Sequence, residues 1–218
     1  ARVAPPIDVR VRPLYNPALK TAIFIVPGII GVMLSNILIL ITALAVVRER
    51  EAGTLEQLIV TPLTPTEIML GKIAPYVIVG YVQMTAVLIM GALLFQVPIR
   101  GSLLTIYLVA FVFIVASLGL GLFVSTLART GAQAIQASFF FILPNIMLSG
   151  FMFPREGMPP FAQALGWGIP LTYFLQILRG VILKGVGFEA LWPQALALVG
   201  FAILFFAFSV QRFQKTLD

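Results

Sequence analysis

Long apolar runs separated by short polar clusters set the pattern of this chain. The first run covers 22–47 and is broken chiefly by Pro27, Ser35, Asn36 and Thr42. At about 1.5 Å per residue it crosses a hydrocarbon core of about 30 Å with some tilt. It stops at Arg48-Glu49-Arg50-Glu51, a row of ionisable residues that hydrocarbon does not hold cheaply. Further runs over 68–95, 102–127, 132–153 and 191–210 predict four more crossings. The expected fold class is therefore an all-α polytopic membrane protein with five transmembrane helices.

Two segments do not fit a simple span. Within 48–67, Thr54-Leu55-Glu56-Gln57 has the spacing of a helix-capping box, with Leu55, Leu58 and Ile59 forming one apolar face behind it. Pro62 ends that short helix. Thr64-Pro65-Thr66-Glu67 then repeats the box, with proline at the first helical position, where its missing N–H is harmless. The segment reads as an interfacial helix, a turn and the start of a long helix whose Lys72 snorkels to the headgroups. The second exception is 158–184, where the apolar stretches are short and Gly166, Gly168 and Pro170 interrupt them. Stretches of this length re-enter or lie at the interface more often than they span, so the reading is two short helices on one face. Trp167, Tyr173 and Trp192 suit an interfacial aromatic belt.

Composition sharpens the class and removes several chemistries. The 218 residues are 60% apolar and 10% charged, against about 25% charged in an ordinary soluble domain. There is no Cys and no His, which removes thiol nucleophiles, soft metal ligands and the usual near-neutral acid–base group. The expectation is no catalytic set, no metal and no cofactor held by this chain. Gly71-Lys72-Ile73 lacks the upstream glycines and the hydroxyl of a phosphate-binding loop. The net charge of +6 is dispersed, so no nucleic-acid surface is expected and membrane lipid is the natural polar neighbour. Counting Lys and Arg on alternate loops favours neither orientation clearly.

Inside the apolar runs, Asn36, Gln83, Gln133, Gln136 and Asn145 stand out. An amide facing lipid is costly, so each is expected to meet protein or a cavity, as a pathway residue or as a helix–helix contact. Charge within the membrane is nearly absent, which disfavours an ion-coupled carrier and suits an apolar, amphipathic or lipid-linked cargo.

The stretch from Val47 through Arg48-Glu49-Arg50-Glu51-Ala52-Gly53-Thr54-Leu55-Glu56-Gln57 to Leu63 resembles the gate-helix and coupling segment of the ABC-2 type permeases, membrane subunits of type V ATP-binding-cassette exporters. Leu14-Tyr15-Asn16-Pro17, the segment Leu148–Pro154 and Ile169-Pro170-Leu171-Thr172-Tyr173-Phe174 are similar to further blocks of that family, in the same order. The resemblance implies a permease subunit that, with a second copy, forms the path for an amphipathic, drug-like or lipid-linked substrate. A separate nucleotide-binding ATPase subunit would hold ATP and Mg, with Arg48, Glu49, Arg50, Glu51, Glu56 and Gln57 coupling to it.

The resemblance also implies an arrangement and a location. Residues 1–21 are expected to close an outward-facing segment, 22–210 to form the transmembrane domain, 48–67 to be the cytosolic coupling segment, 158–184 an outer re-entrant hairpin and 211–218 a cytosolic tail. The chain starts Ala1-Arg2-Val3-Ala4, and the expectation is that it is the C-terminal five helices of a six-helix inner-membrane protein. The main alternative is a secondary carrier or channel subunit without an ATPase. An intramembrane enzyme finds no convergent nucleophile and base here.

Overall fold

The computed structural model describes residues 21–53 and 64–215, and every regular element among them is helical. Helix α1 is Thr21–Glu51, α2 is Pro65–Phe95, α3 is Leu103–Leu127 and α4 is Gly131–Leu148. Two short helices follow, α5 at Pro160–Gly166 and α6 at Pro170–Arg179, the latter running into a π turn at Gly180–Lys184. Helix α7, Trp192–Lys215, is the last described element. Five of these, α1 to α4 and α7, are long and apolar enough to cross a membrane. Glu56 and Gln57, with the interfacial helix expected around them, lie outside the described residues.

The helix boundaries follow from local chemistry. At the start of α2, Thr64 Oγ1 accepts from the Glu67 N–H at 3.4 Å while the Glu67 carboxylate accepts from the Thr64 N–H at 2.7 Å. Pro65 fills the first turn without leaving a donor stranded. These bonds to Thr64 hold the Glu67 carboxyl below its ordinary range, so they are complete above the usual glutamate range and fade as pH falls through the lowered value. Helix α4 begins in the same manner, with Thr130 Oγ1 accepting from the Gln133 N–H at 3.3 Å. It ends at Leu148, earlier than the apolar run to 153, and Gly150 at φ 87° turns the chain away. At its other boundary the first run is longer than expected. The helix continues through the charged row to Glu51, because those charges find partners on neighbouring helices.

Helix α3 is the centre of the bundle, packing most extensively on α7 and on α1. A Cβ on Gly121 would sit 2.8 Å from the Ile39 carbonyl oxygen and 2.9 Å from Thr42 Cβ, so α1 and α3 cross almost backbone to backbone. Close approach over small residues is how membrane helices gain packing where lipid removes the usual hydrophobic drive. On the opposite side Ser209 Oγ donates to the Gly119 carbonyl at 3.1 Å, which pairs α7 with α3 in parallel.

Successive long helices alternate in direction, giving the bundle two distinct ends. One end, called here the charged end, gathers the end of α1, the start of α2, the end of α3 and the start of α4. Helices α5 and α6 belong to the opposite end and are bent by 89° relative to each other. Phe174 stacks on Phe113 with centroids 4.0 Å apart, so α6 reaches about 15 Å along α3 before returning. The return is fixed at Arg100, whose N–H donates to the Ile182 carbonyl at 3.1 Å, and at Arg179, which donates to the Gly150 carbonyl at 2.9 Å. The pair therefore enters and leaves at one end of the bundle.

Candidate functional site: the charged end of the bundle

The row Arg48-Glu49-Arg50-Glu51 forms the last turn of α1, and consecutive residues in a helical turn point in different directions. Three of the four consequently reach three neighbouring helices. The Glu49 carboxylate pairs with Lys72 of α2, whose side chain is only 13% exposed. Lys72 is thus an interhelical partner, where the sequence suggested a cation snorkelling toward headgroups. Arg50 Nη1 donates to the carbonyl of Ala128 at 3.0 Å and lies 3.5 Å from that of Ser125. Glu51 Oε1 accepts from the Gly131 N–H at 3.0 Å. Arg48 is exposed.

The signs suit the helix ends they meet. Carbonyls at a helix C-terminus carry partial negative charge, and Arg50 meets them at the end of α3. N–H groups at a helix N-terminus carry partial positive charge, and Glu51 meets one at the start of α4. The tight 128–130 turn between α3 and α4 is thereby held from both sides by adjacent residues of α1. Gln133 reinforces it, accepting from the Arg129 N–H at 2.8 Å. The result is a clamp through which α1 grips α2, α3 and α4 at one level. Beside it lies a cavity of about 240 Å³ between α1 and α2, lined by Thr42, Glu49, Lys72 and Tyr76 among others.

Away from the clamp the intramembrane amides divide. Asn145 of α4 is buried, and its Nδ2 donates to Ser35 Oγ of α1 at 3.1 Å. Neighbouring Asn36 is half-buried and its Oδ1 has no partner. Gln83 of α2 is half-buried, with both amide atoms unpartnered and removed from solvent. Gln133 and Gln136 are exposed on α4, Gln133 belonging to the turn just described. The structure thus joins Asn145 to α1 through Ser35 and does not gather the five amides into one site. In the sequence Ser35 is visible as a break in the first apolar run, but serine carries no spacing signal that marks it as the partner of Asn145.

The family model described as ABC-2 family transporter protein matches residues 1–210. The chain belongs to the ABC-2 permease family. Among relatives of this permease, the probable multidrug ABC transporter permease YbhR of Escherichia coli strain K12 is 39% identical over 182 residues, 84% of this chain and 50% of the relative. The probable multidrug ABC transporter permease YbhS of the same strain is 35% identical over 215 residues, 98% of this chain and 57% of the relative. The inner membrane transport permease YhhJ, also of that strain, is 34% identical over 216 residues, again 98% and 57%. The permease chain thus spans about half the length of these curated relatives. With its five apolar helices it is an integral membrane protein.

At the other end of the permease, two arginines lie on aromatic rings. Arg179 lies over the Phe24 ring at 3.7 Å, and Arg155 over Trp167 at 3.9 Å. Burial lowers the Arg155 pKa from its ordinary value, and Tyr173 and Glu156 offset part of that effect.

Proposed function

We propose that this chain is the membrane part of an ATP-driven exporter for amphipathic, drug-like or lipid-linked substrates. The observation that carries the reading is the clamp, which joins four helices at the start of the segment that resembles the coupling region of these permeases. A push delivered to 54–63 by a partner would pass into α1 through Glu51 and into α2 through Pro65. The clamp would turn it into a rigid-body movement of the bundle's charged end. In this reading the charged end faces the cytosol and the α5–α6 pair faces outward. The membrane in this reading is the bacterial inner membrane, as the name of the relative YhhJ has it for that protein.

The partner in this proposal is a separate ATP-binding-cassette ATPase that holds ATP and Mg. Glu56 and Gln57 are the best candidates for touching it, together with Arg48, which is exposed. Glu49, Arg50 and Glu51 then transmit the movement, their side chains being engaged with α2, α3 and α4. A second permease copy, identical or a close paralogue, completes the path. Asn36, Gln83 and Asn145 are the candidate path residues, because two of them retain unpartnered amide atoms where a passing polar group gains most.

The test uses inside-out vesicles carrying the natural protein and its ATPase. ATP is expected to drive accumulation of a fluorescent amphiphile such as Hoechst 33342, blocked by vanadate and by Lys72→Glu. Accumulation driven by a proton gradient without ATP would instead assign a secondary carrier.

A further inference from the structure

At the end of the bundle opposite the clamp, α1, the 149–156 segment, α6 and the start of α7 line a partly open cavity of about 530 Å³. Three cationic side chains line it, Arg155, Arg179 and Lys184, against a single carboxylate from Glu156. Phe24, Leu175, Leu183 and Leu191 supply apolar wall. The arginine heads are held in place. Arg179 lies on the Phe24 ring and gives Nη1 to the Gly150 carbonyl, while Arg155 lies on Trp167 and gives Nη2 to the Gln163 carbonyl at 2.8 Å. Yet Arg179 Nε and Nη2, Arg155 Nη1 and the Ser149 hydroxyl have no partner and are removed from solvent.

A guanidinium N–H left unpartnered away from water is costly, and the remedy that gains most is an anion taking two such bonds at once. The two planar heads match the oxygens of a phosphate. Two features favour a lipid as its source. The walls between the cations are apolar, and the exposed Trp167 and Trp192 mark this end as the level where aromatic side chains meet headgroups. We infer that this cavity binds the phosphate headgroup of an anionic phospholipid, held by Arg155 and Arg179. The site stands on the cavity's own chemistry and needs neither ATP nor the export reading. Its occupant is a resident lipid, or a cargo with the same headgroup.

The full chain, purified in a mild non-ionic detergent, would be offered equal amounts of short-chain phosphatidylglycerol and phosphatidylcholine and weighed intact by native mass spectrometry. The expected result is a one-lipid adduct favouring phosphatidylglycerol by at least about 5-fold. Arg155→Gln and Arg179→Gln should each lower it by about 10-fold, while Arg155→Lys keeps most of it. Arg179 also supports Gly150, so if Arg179→Gln elutes as aggregate, Arg155→Gln decides alone. Equal binding of the two lipids, or binding unchanged in Arg155→Gln, would overturn the inference. Displacement of the lipid by millimolar inorganic phosphate would overturn the lipid assignment and leave a site for free anions.

Discussion

Arg50→Met is expected to lower the unfolding free energy of the bundle by about 2–3 kcal/mol, measured by SDS titration in mixed micelles. The figure follows from the bonds lost. A hydrogen bond from a charged group contributes about 1.5–3 kcal/mol, and its removal also leaves the Ala128 carbonyl facing a neutral thioether. Methionine keeps much of the alkyl volume, so the loss reports the guanidinium more than the packing. Arg50→Lys should recover part of it, since the charge returns while the planar fork does not. The consequence for transport should exceed the consequence for stability. With the α3–α4 turn released, α1 can move without carrying its neighbours, and in the proposed exporter ATP-driven transport is expected to fall at least about 10-fold. A variant as stable and as active as the parent would remove Arg50 from the account.

Gly121→Leu should be at least as damaging to the fold. A Cβ at this position meets the Ile39 carbonyl at 2.8 Å and its Cα at 3.1 Å, backbone atoms that cannot turn aside as a side-chain tip does. Overpacking a close-fitted core costs about 1–3 kcal/mol, and this site belongs at the upper end because two whole helices must separate. The control is Gly200→Ala on α7, where an added Cβ meets nothing within 4 Å. There the better helix propensity of alanine should leave the midpoint unchanged or slightly raised. The same SDS titration reads both, and equal midpoints for the two variants would contradict the close crossing of α1 and α3.

These two sites mark what the sequence made legible and what it did not. Span length and apolar runs were enough to predict five membrane helices, because a bilayer imposes one strong length rule on every crossing. The capped start of α2 at Thr64 was equally readable, since a cap is decided by residues three apart. Gly119 and Gly121 lack the four-residue GxxxG spacing, so their close contacts with α7 and α1 come from the fold and not from a sequence motif. The charged row was visible as the stop of the first run. Its pairings with Lys72, the α3 end and the α4 start were not, because they join residues 23 to 80 positions apart. Lys72 therefore read as a snorkelling cation. Likewise Arg155 and Arg179 are separated by a bend that only the folded hairpin brings together around one cavity. The amides Asn36 and Asn145 stood out by polarity alone, whereas Ser35 showed only as a break in the first run and not as the partner of Asn145.

The most direct measurement is affinity purification, from native membranes, of the natural protein that contains this chain, beside a variant carrying Glu56→Lys and Gln57→Lys. These two positions are chosen because Glu49 and Glu51 are committed to internal partners and their reversal would disturb the bundle itself. The account predicts that an ATP-binding-cassette ATPase is recovered with the natural protein and lost with the double variant, while both elute as folded protein. Recovery of no such ATPase, under conditions that preserve other weak membrane complexes, would contradict the ATP-driven exporter. An ATPase retained equally by the variant would contradict the coupling face.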